Sequence, residues 1–360
     1  MQTPPKLPLK ILICGYYGEH NLGDDALLQC LLQGLPSGWQ PLVTAADQQE
    51  VQNRFQVASC DRRSLLATLR ALAHCSALVL GGGSLLQDST SFKSLIYYAA
   101  LILAAKAQAK PVLLWGQGLG PLRRRRSRIL VRMLLSLVTA ASWRDPESAG
   151  LAAQLGRGGT SGDLLGTDPV WRFPAQPWRG QGGPIVLAWR PTPLLNANGW
   201  LLLLRALQQL AEDQQREVIW LPFHRHQDRG LLNELASQGL LPAGLADRSR
   251  QGQPERPEDA MAICTAAGLL VAMRLHALIL GALAGAPCAA LSYDPKVAAA
   301  AKGLGCGCHD LRQLPSQEIL VQQWQAQLDR PLHQGDVRRQ VDAAAVHQLV
   351  LERLLPGSPA

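Results

Sequence analysis

Short apolar stretches that end in glycine or a polar residue, each followed by a segment with helical spacing, recur along this chain. No other feature restricts its fold as much. "LKILICGYYG" (9–18) reads as a strand running into glycine, and "DDALLQCLLQGL" (24–35) as a helix with an acidic first turn. "PLVTAA" (41–46) is a second strand, "DRRSLLATLRALAHC" (61–75) a helix, and "SALVLGGG" (76–83) a third strand. A long helix over 91–110 and the strand and turn "PVLLWGQGLGP" (111–121) follow. Apolar strands alternating with helices predict a parallel sheet covered on both faces.

The alternation restarts after "DPVWRFPAQPWRGQGG" (168–183), whose Pro, Gly and Trp content suits a linker. Strands "PIVLAW", "EVIWLPFH", "GLLVAM" and "PCAALSY" alternate with helices "GWLLLLRALQQLAEDQ", "DRGLLNELASQG", "PEDAMAICTAA" and "HALILGALAGA", with a polar loop at 246–257. The expected architecture is α/β: two Rossmann-like domains, at 1–175 and 183–355, facing each other across a cleft. A length of 360 residues suits two domains. An apolar content of 47% supplies two cores and excludes general disorder; only "MQTPPKLP" and "PGSPA" read as loose tails.

Ligands in such sheets bind at the carboxyl ends of strands, near helix N-termini. Asn21, Gly23 and Asp24 follow the first strand, Gly81, Gly82 and Gly83 the third, and Gln117 and Gly118 the fourth. In the second half Arg190, His224 and the group Arg274–Leu275–His276 hold the same kind of place. Arg274 interrupts the apolar run "VAMRLHALILG", and a guanidinium there needs a counter-charge. Two readings stay open: a buried carboxylate supplies it, or a ligand does. "PFHRHQD" (222–228) adds His226 and Asp228, with His224 the better site candidate. The glycines also suit tight turns, Asp24 also suits a helix cap, and the spacing of the first turn is not that of a dinucleotide site.

The net charge of +8 is local. Six arginines lie between Arg123 and Arg132, and without them the balance is about +2. They open a basic amphipathic helix over 122–138, read either as a solvated face or as a contact for anionic lipid heads or a pyrophosphate. Of the eight cysteines, most sit in apolar runs. Cys306 and Cys308 in "CGCH" lack a second ligand pair, so no metal is expected. The cysteine usage, the absence of a signal peptide and the absence of a long apolar span point to a reduced, cytoplasmic setting.

Together "GYYGEHNLGDDALL", "LVLGGGSLLQD", "WGQGLGPL", "SWRDPES", "GTDPVW" and "MRLHALILGALAGAP" resemble the polysaccharide pyruvyl transferases, in particular the bacterial branch acting on secondary cell-wall polymers. The resemblance covers about residues 9–310 and rests on the order of the motifs. It implies a GT-B-like fold and transfer of a pyruvyl group from phosphoenolpyruvate to a sugar as a cyclic ketal, with no further cofactor. It implies a donor site with Arg274, His276 and a second arginine, Arg190, in the 183–355 domain. The acceptor side would lie in 1–175, with Gly18, Arg144, Asp145 and Asp168 joining the turn residues above. Eukaryotic members carry a histidine near "GQGLGPL" that is absent here, and Asp25 stands where many relatives have Glu.

Phosphoenolpyruvate carries a phosphate and a carboxylate, which two arginines can clamp bidentately. A protonated His276 would give its proton to the methylene carbon, leaving an oxocarbenium-like centre for a sugar hydroxyl. The acceptor is a lipid-linked or nucleotide-linked sugar, and an enzyme using a lipid-linked one would sit peripherally on the inner face of the plasma membrane. Two other readings compete: a GT-B glycosyltransferase using a nucleotide sugar, and a non-enzymatic anion- or nucleic-acid-binding protein. No specific nucleic acid is expected, because aromatics for base stacking are sparse.

Overall fold

A computed structural model describes residues 9–89, 91–158 and 163–355; the two tails lie outside the described residues. The strands form two parallel sheets. The first holds β1 (Leu9–Tyr17), β2 (Trp39–Ala45), β3 (Ala58–Asp61), β4 (Ala77–Gly81), β5 (Val112–Gln117), β6 (Ala140–Trp143) and β7 (Leu164–Leu165), in the order β3-β2-β1-β4-β5-β6-β7. The second holds β8 (Ile185–Ala188), β9 (Val218–Trp220), β10 (Ser249–Gln251), β11 (Leu269–Ala272), β12 (Cys288–Ser292) and β13 (Gly307–Asp310), in the order β10-β9-β8-β11-β12-β13. Both orders reverse direction once, between β1 and β4 and between β8 and β11. At such switch points the loops diverge to opposite faces and leave room for a ligand.

The central strands are buried along their whole length: β4, β5, β8, β11 and β12 expose no residue. Helices such as Phe92–Ala107 and Ala197–Asp213 cover them with leucine-rich faces. Side chains at β11 and its following helix Leu275–Ala284 are almost all Leu, Ile, Val and Ala, so the strand–helix unit lies wholly in the core.

By their contacts, residues up to Glu19, Asp24–Arg172 and those from Val341 onward form one unit, and His20–Gly23 with Phe173–Gln340 form the other. The change of unit at Arg172 falls inside the stretch read as a linker. The end of the chain corrects the boundary at 355. The last helix, Val346–Leu354, packs on β5, β6 and β7 of the first unit rather than on the second. His347 is buried there, its Nε2 2.6 Å from the Thr167 carbonyl oxygen, and Val350 and Leu351 join the first core. The helix at the first turn also differs from expectation: it begins at Leu22, and Asn21 rather than Asp24 caps it, its Oδ1 accepting from Gly23 N at 3.1 Å.

Candidate functional site

In the second unit, β8 and β11 are neighbours with Ala188 opposite Ala272. Arg190 and Arg274 each stand two residues beyond that pair, at the switch point. Their surroundings differ. The Arg274 guanidinium lies against Asp228: Nε donates to Oδ2 at 3.0 Å and Nη2 to Oδ1, and Nη2 also donates to Gln227 Oε1 at 3.0 Å. Asp228 is buried and also accepts from the backbone N–H groups of Phe223 and His224, at 3.1 and 2.8 Å. The counter-charge of Arg274 is therefore a carboxylate of the chain itself. This corrects the argument that a bound donor must supply it. The partner arrives from the turn after β9, which the sheet order places beside β8.

Arg190 has no such partner. Among the described residues no carboxylate pairs with it. Its Nη1 donates to Tyr293 Oη at 3.3 Å and its guanidinium carbon lies 5.0 Å from the centre of the Tyr293 ring. Tyr293 follows β12 directly, so three successive strand ends build this corner. Tyr293 carried no sequence signal beyond its place at the end of an apolar strand.

His276 sits in the first turn of the helix Leu275–Ala284, half-buried like Leu275 before it. No side chain caps that helix, whereas Ser64, Ser91, Asp145, Asn196 and Asp294 cap others. An uncapped first turn leaves backbone donors directed at whatever lies in front of it. Gly23 packs on the His276 ring so closely that a Cβ there would lie 2.0 Å from Nδ1. Leu22 N donates to Phe223 O and Arg225 N to His20 O, both at 2.9 Å, and Asn21 bridges to His224. His224 is buried, with its ring 6.2 Å from that of His226. Gly23, Asn21, His224 and His276 thus belong to one corner of the second unit.

In the first unit, the turn after β4 occupies the other switch point. Gly81 O accepts from Tyr17 Oη at 2.5 Å, and a Cβ on Gly81 would meet Leu31 and Tyr17 at 2.6 Å. Gly82 and Gly83 hold φ of +68° and +74°, which a side chain would strain. Around Gly83 the nearest atom to a Cβ would be Asp24 Oδ1 at 3.9 Å, so this glycine borders open space. The buried Gln117 amide donates to Leu80 O and Gly82 O at 3.1 and 2.9 Å, and Gly118 N donates to Gly83 O at 2.7 Å. Arg144 pairs with Asp168 at 3.0 Å and donates to Ser84 Oγ at 3.1 Å. Gln117, Arg144 and Asp168 thus brace the glycine turn from below. Asp145 caps the helix Pro146–Ala152 through Ser148 N at 2.7 Å, and Gly18 O accepts from Asp47 N at 3.1 Å. Asp25 is buried beside Arg54; burial pushes its carboxyl up to about 7 against the pull of that guanidinium.

All eight cysteines are free thiols, and Cys308 lies on the edge strand β13. Among the described residues no helix is long and apolar enough to cross a membrane.

Two sheets of this order, each with its polar groups at one switch point, define a two-domain α/β enzyme scaffold. The likeness to solved structures agrees. UDP-GlcNAc 2-epimerase from Methanocaldococcus jannaschii superposes with a TM-score of 0.64 at 10% identity, over 97% of this chain and 99% of that one. MurG from Acinetobacter baumannii gives 0.53 at 15%, over 97% and 99%. Anabaena HepE in complex with UDP and glucose gives 0.54 at 12%, over 96% and 95%. The chain shares their GT-B fold. No curated protein sequence matches it. The model of the polysaccharide pyruvyl transferase family, however, matches residues 21–295, and the chain belongs to that family.

Proposed function

We propose that the chain transfers the pyruvyl group of phosphoenolpyruvate to two hydroxyls of a sugar in a cell-surface polysaccharide precursor, forming a cyclic ketal and releasing phosphate. The observation that carries this reading is Arg190: a guanidinium at the switch point, resting on Tyr293, with no carboxylate partner among the described residues. An oxyanion of the donor completes it. The uncapped first turn at Leu275–Ala277 adds backbone donors from the neighbouring strand end. Arg274, fixed by Asp228, offers an oriented charge rather than a free one.

His276 then protonates the methylene carbon of the donor. The carbon bearing the phosphate becomes oxocarbenium-like and a sugar hydroxyl bonds to it. Phosphate leaves with the C–O electron pair, and the second hydroxyl closes the ring. The two hydroxyl protons balance the one given to carbon and the one carried away. Gly83, with open space before it, and Asp24 are suited to the acceptor sugar, whose hydroxyls need a close backbone approach and an acceptor carboxylate.

The experiment is phosphate release. With phosphoenolpyruvate and a lipid-linked or nucleotide-linked amino sugar, phosphate appears only when both are present, and Arg190→Ala weakens the dependence on phosphoenolpyruvate. Full-length likeness to sugar–nucleotide enzymes supports one competing reading, a nucleotide-sugar glycosyltransferase. Tight binding of UDP with no phosphate release would establish that reading instead.

A further inference from the structure

From Ser89 to Arg144 the chain carries ten cations and no carboxylate: Lys93, Lys106, Lys110, the six arginines between Arg123 and Arg132, and Arg144. This stretch builds two neighbouring helices of the first unit, Phe92–Ala107 and Arg125–Leu137, which pack on each other. Their first turns are tied together, with the Arg126 guanidinium 4.2 Å over the Phe92 ring. The inner faces are ordinary core: Leu95, Leu101 and Ile102 on one helix, Val131, Leu134 and Leu135 on the other.

The outer faces are not ordinary. On Arg125–Leu137 the arginines 125, 128 and 132 are exposed, and among them stand Ile129 and Met133, exposed by 54% and 57%. On Phe92–Ala107 the pattern repeats with Ile96 at 45% and Leu103 at 52%, flanked by Lys93 and Lys106. Spacings of four and seven residues put each apolar pair on one side of its helix. The basic helix is also held firmly at both ends. Asp88 accepts from the backbone of Arg123 and Arg124 at 2.8 Å. Arg157, paired with Asp163 at 2.8 Å, donates to Leu135 O at 2.5 Å and Val138 O at 2.9 Å.

We infer that this face docks on an anionic lipid bilayer. The arginines and lysines meet the headgroup charge, while Ile96, Leu103, Ile129 and Met133 reach the acyl boundary. Charge complementarity alone fits any polyanion; the four exposed aliphatic side chains among the cations select a lipid surface. Nucleic acid would call for accessible rings to stack on, and Phe92 lies under Arg126. The inference does not depend on which donor the enzyme uses.

The test uses the full chain and vesicles of phosphatidylcholine with and without phosphatidylglycerol. The wild-type chain sediments with the anionic vesicles and far less with the neutral ones, which is read without any variant. R125Q/R128Q/R132Q lowers partition about fivefold per arginine, roughly a hundredfold in all. I129S/M133S lowers it more than tenfold at constant charge. All of the altered side chains are exposed, so both variants should melt with the wild type. Equal sedimentation with both vesicles, or with neither, overturns the proposal. So does an unchanged I129S/M133S beside a lost arginine variant, which would mark a general polyanion surface.

Discussion

Arg190 and Arg274 occupy matching places on adjacent strands, yet removing them should have opposite consequences. Arg274→Ala leaves the Asp228 carboxylate, 1% exposed, with two backbone N–H groups and no counter-charge. Breaking such a pair costs about 3–5 kcal/mol. In a unit of roughly 170 residues each kcal/mol moves the melting point by about 2–4 °C, so a fall of roughly 6–20 °C is expected. Arg190→Ala removes a 3.3 Å hydrogen bond and a contact with a tyrosine ring, together worth about 1 kcal/mol. Its cost should appear in donor binding, weakened roughly ten- to hundredfold for a lost charged hydrogen bond. Thermal melting and titration with phosphoenolpyruvate, run on both variants, read the two effects. Asp228→Asn combined with Arg274→Met should lose less stability than the two single changes added. The reasoning fails if Arg274→Ala melts with the wild type, or if Arg190→Ala melts as early as Arg274→Ala should.

Three further outcomes follow from named contacts. His276→Gln keeps a polar side chain but removes the acid, so turnover should drop by roughly 10²–10⁴ with donor affinity little changed; near-normal turnover in the folded variant removes His276 from the chemistry. Gly23→Ala drives a methyl into the His276 ring, which must swing aside, and should therefore lower turnover while leaving the melting point close to the wild type; a normal rate shows that the ring orientation is unimportant. Burial lowers the pKa of His347 below its ordinary 6.5, against the Thr167 carbonyl and Asp168, which raise it. The folded chain keeps the ring neutral while the unfolded chain takes up a proton below pH 6.5. The contribution is complete above 6.5 and is lost as the pH falls toward the folded value. His347→Gln should flatten the dependence of unfolding free energy on pH over that window, and an unaltered slope assigns it to other groups.

The strands legible in the sequence are those buried on both faces. "ILIC", "ALVLG", "VLLWGQ", "IVLA", "LLVA" and "CAALS" read as apolar runs because helices cover them above and below. The unread strands β3, β7, β10 and β13 are the four sheet edges. Edge strands face water in part and carry residues such as "ASCD" and "SRQ", without alternation or an apolar run. β6, "AASW", is buried but built of small residues that merge with the end of the preceding helix. At the site, the strand-end rule located Arg190, Arg274 and His276 from order alone. It could not reveal Asp228, whose contact with Arg274 spans 46 positions and exists only because β9 lies beside β8. Tyr293 was hidden for the same reason.

The return of residues 341–355 to the first unit sets an order on the ribosome. β5, β6 and β7 emerge early, but His347, Val350 and Leu351, which cover them, follow some 180 residues later, roughly ten to forty seconds at usual elongation rates. The second unit borrows just four residues from upstream, and those are already waiting when it is made. It therefore closes before the first, reversing the usual N-to-C succession. Throughout that interval the nascent first half holds an uncovered apolar flank. It is the part of this chain that a holding chaperone must shield, and the part that a premature stop near residue 340 would leave permanently unfinished.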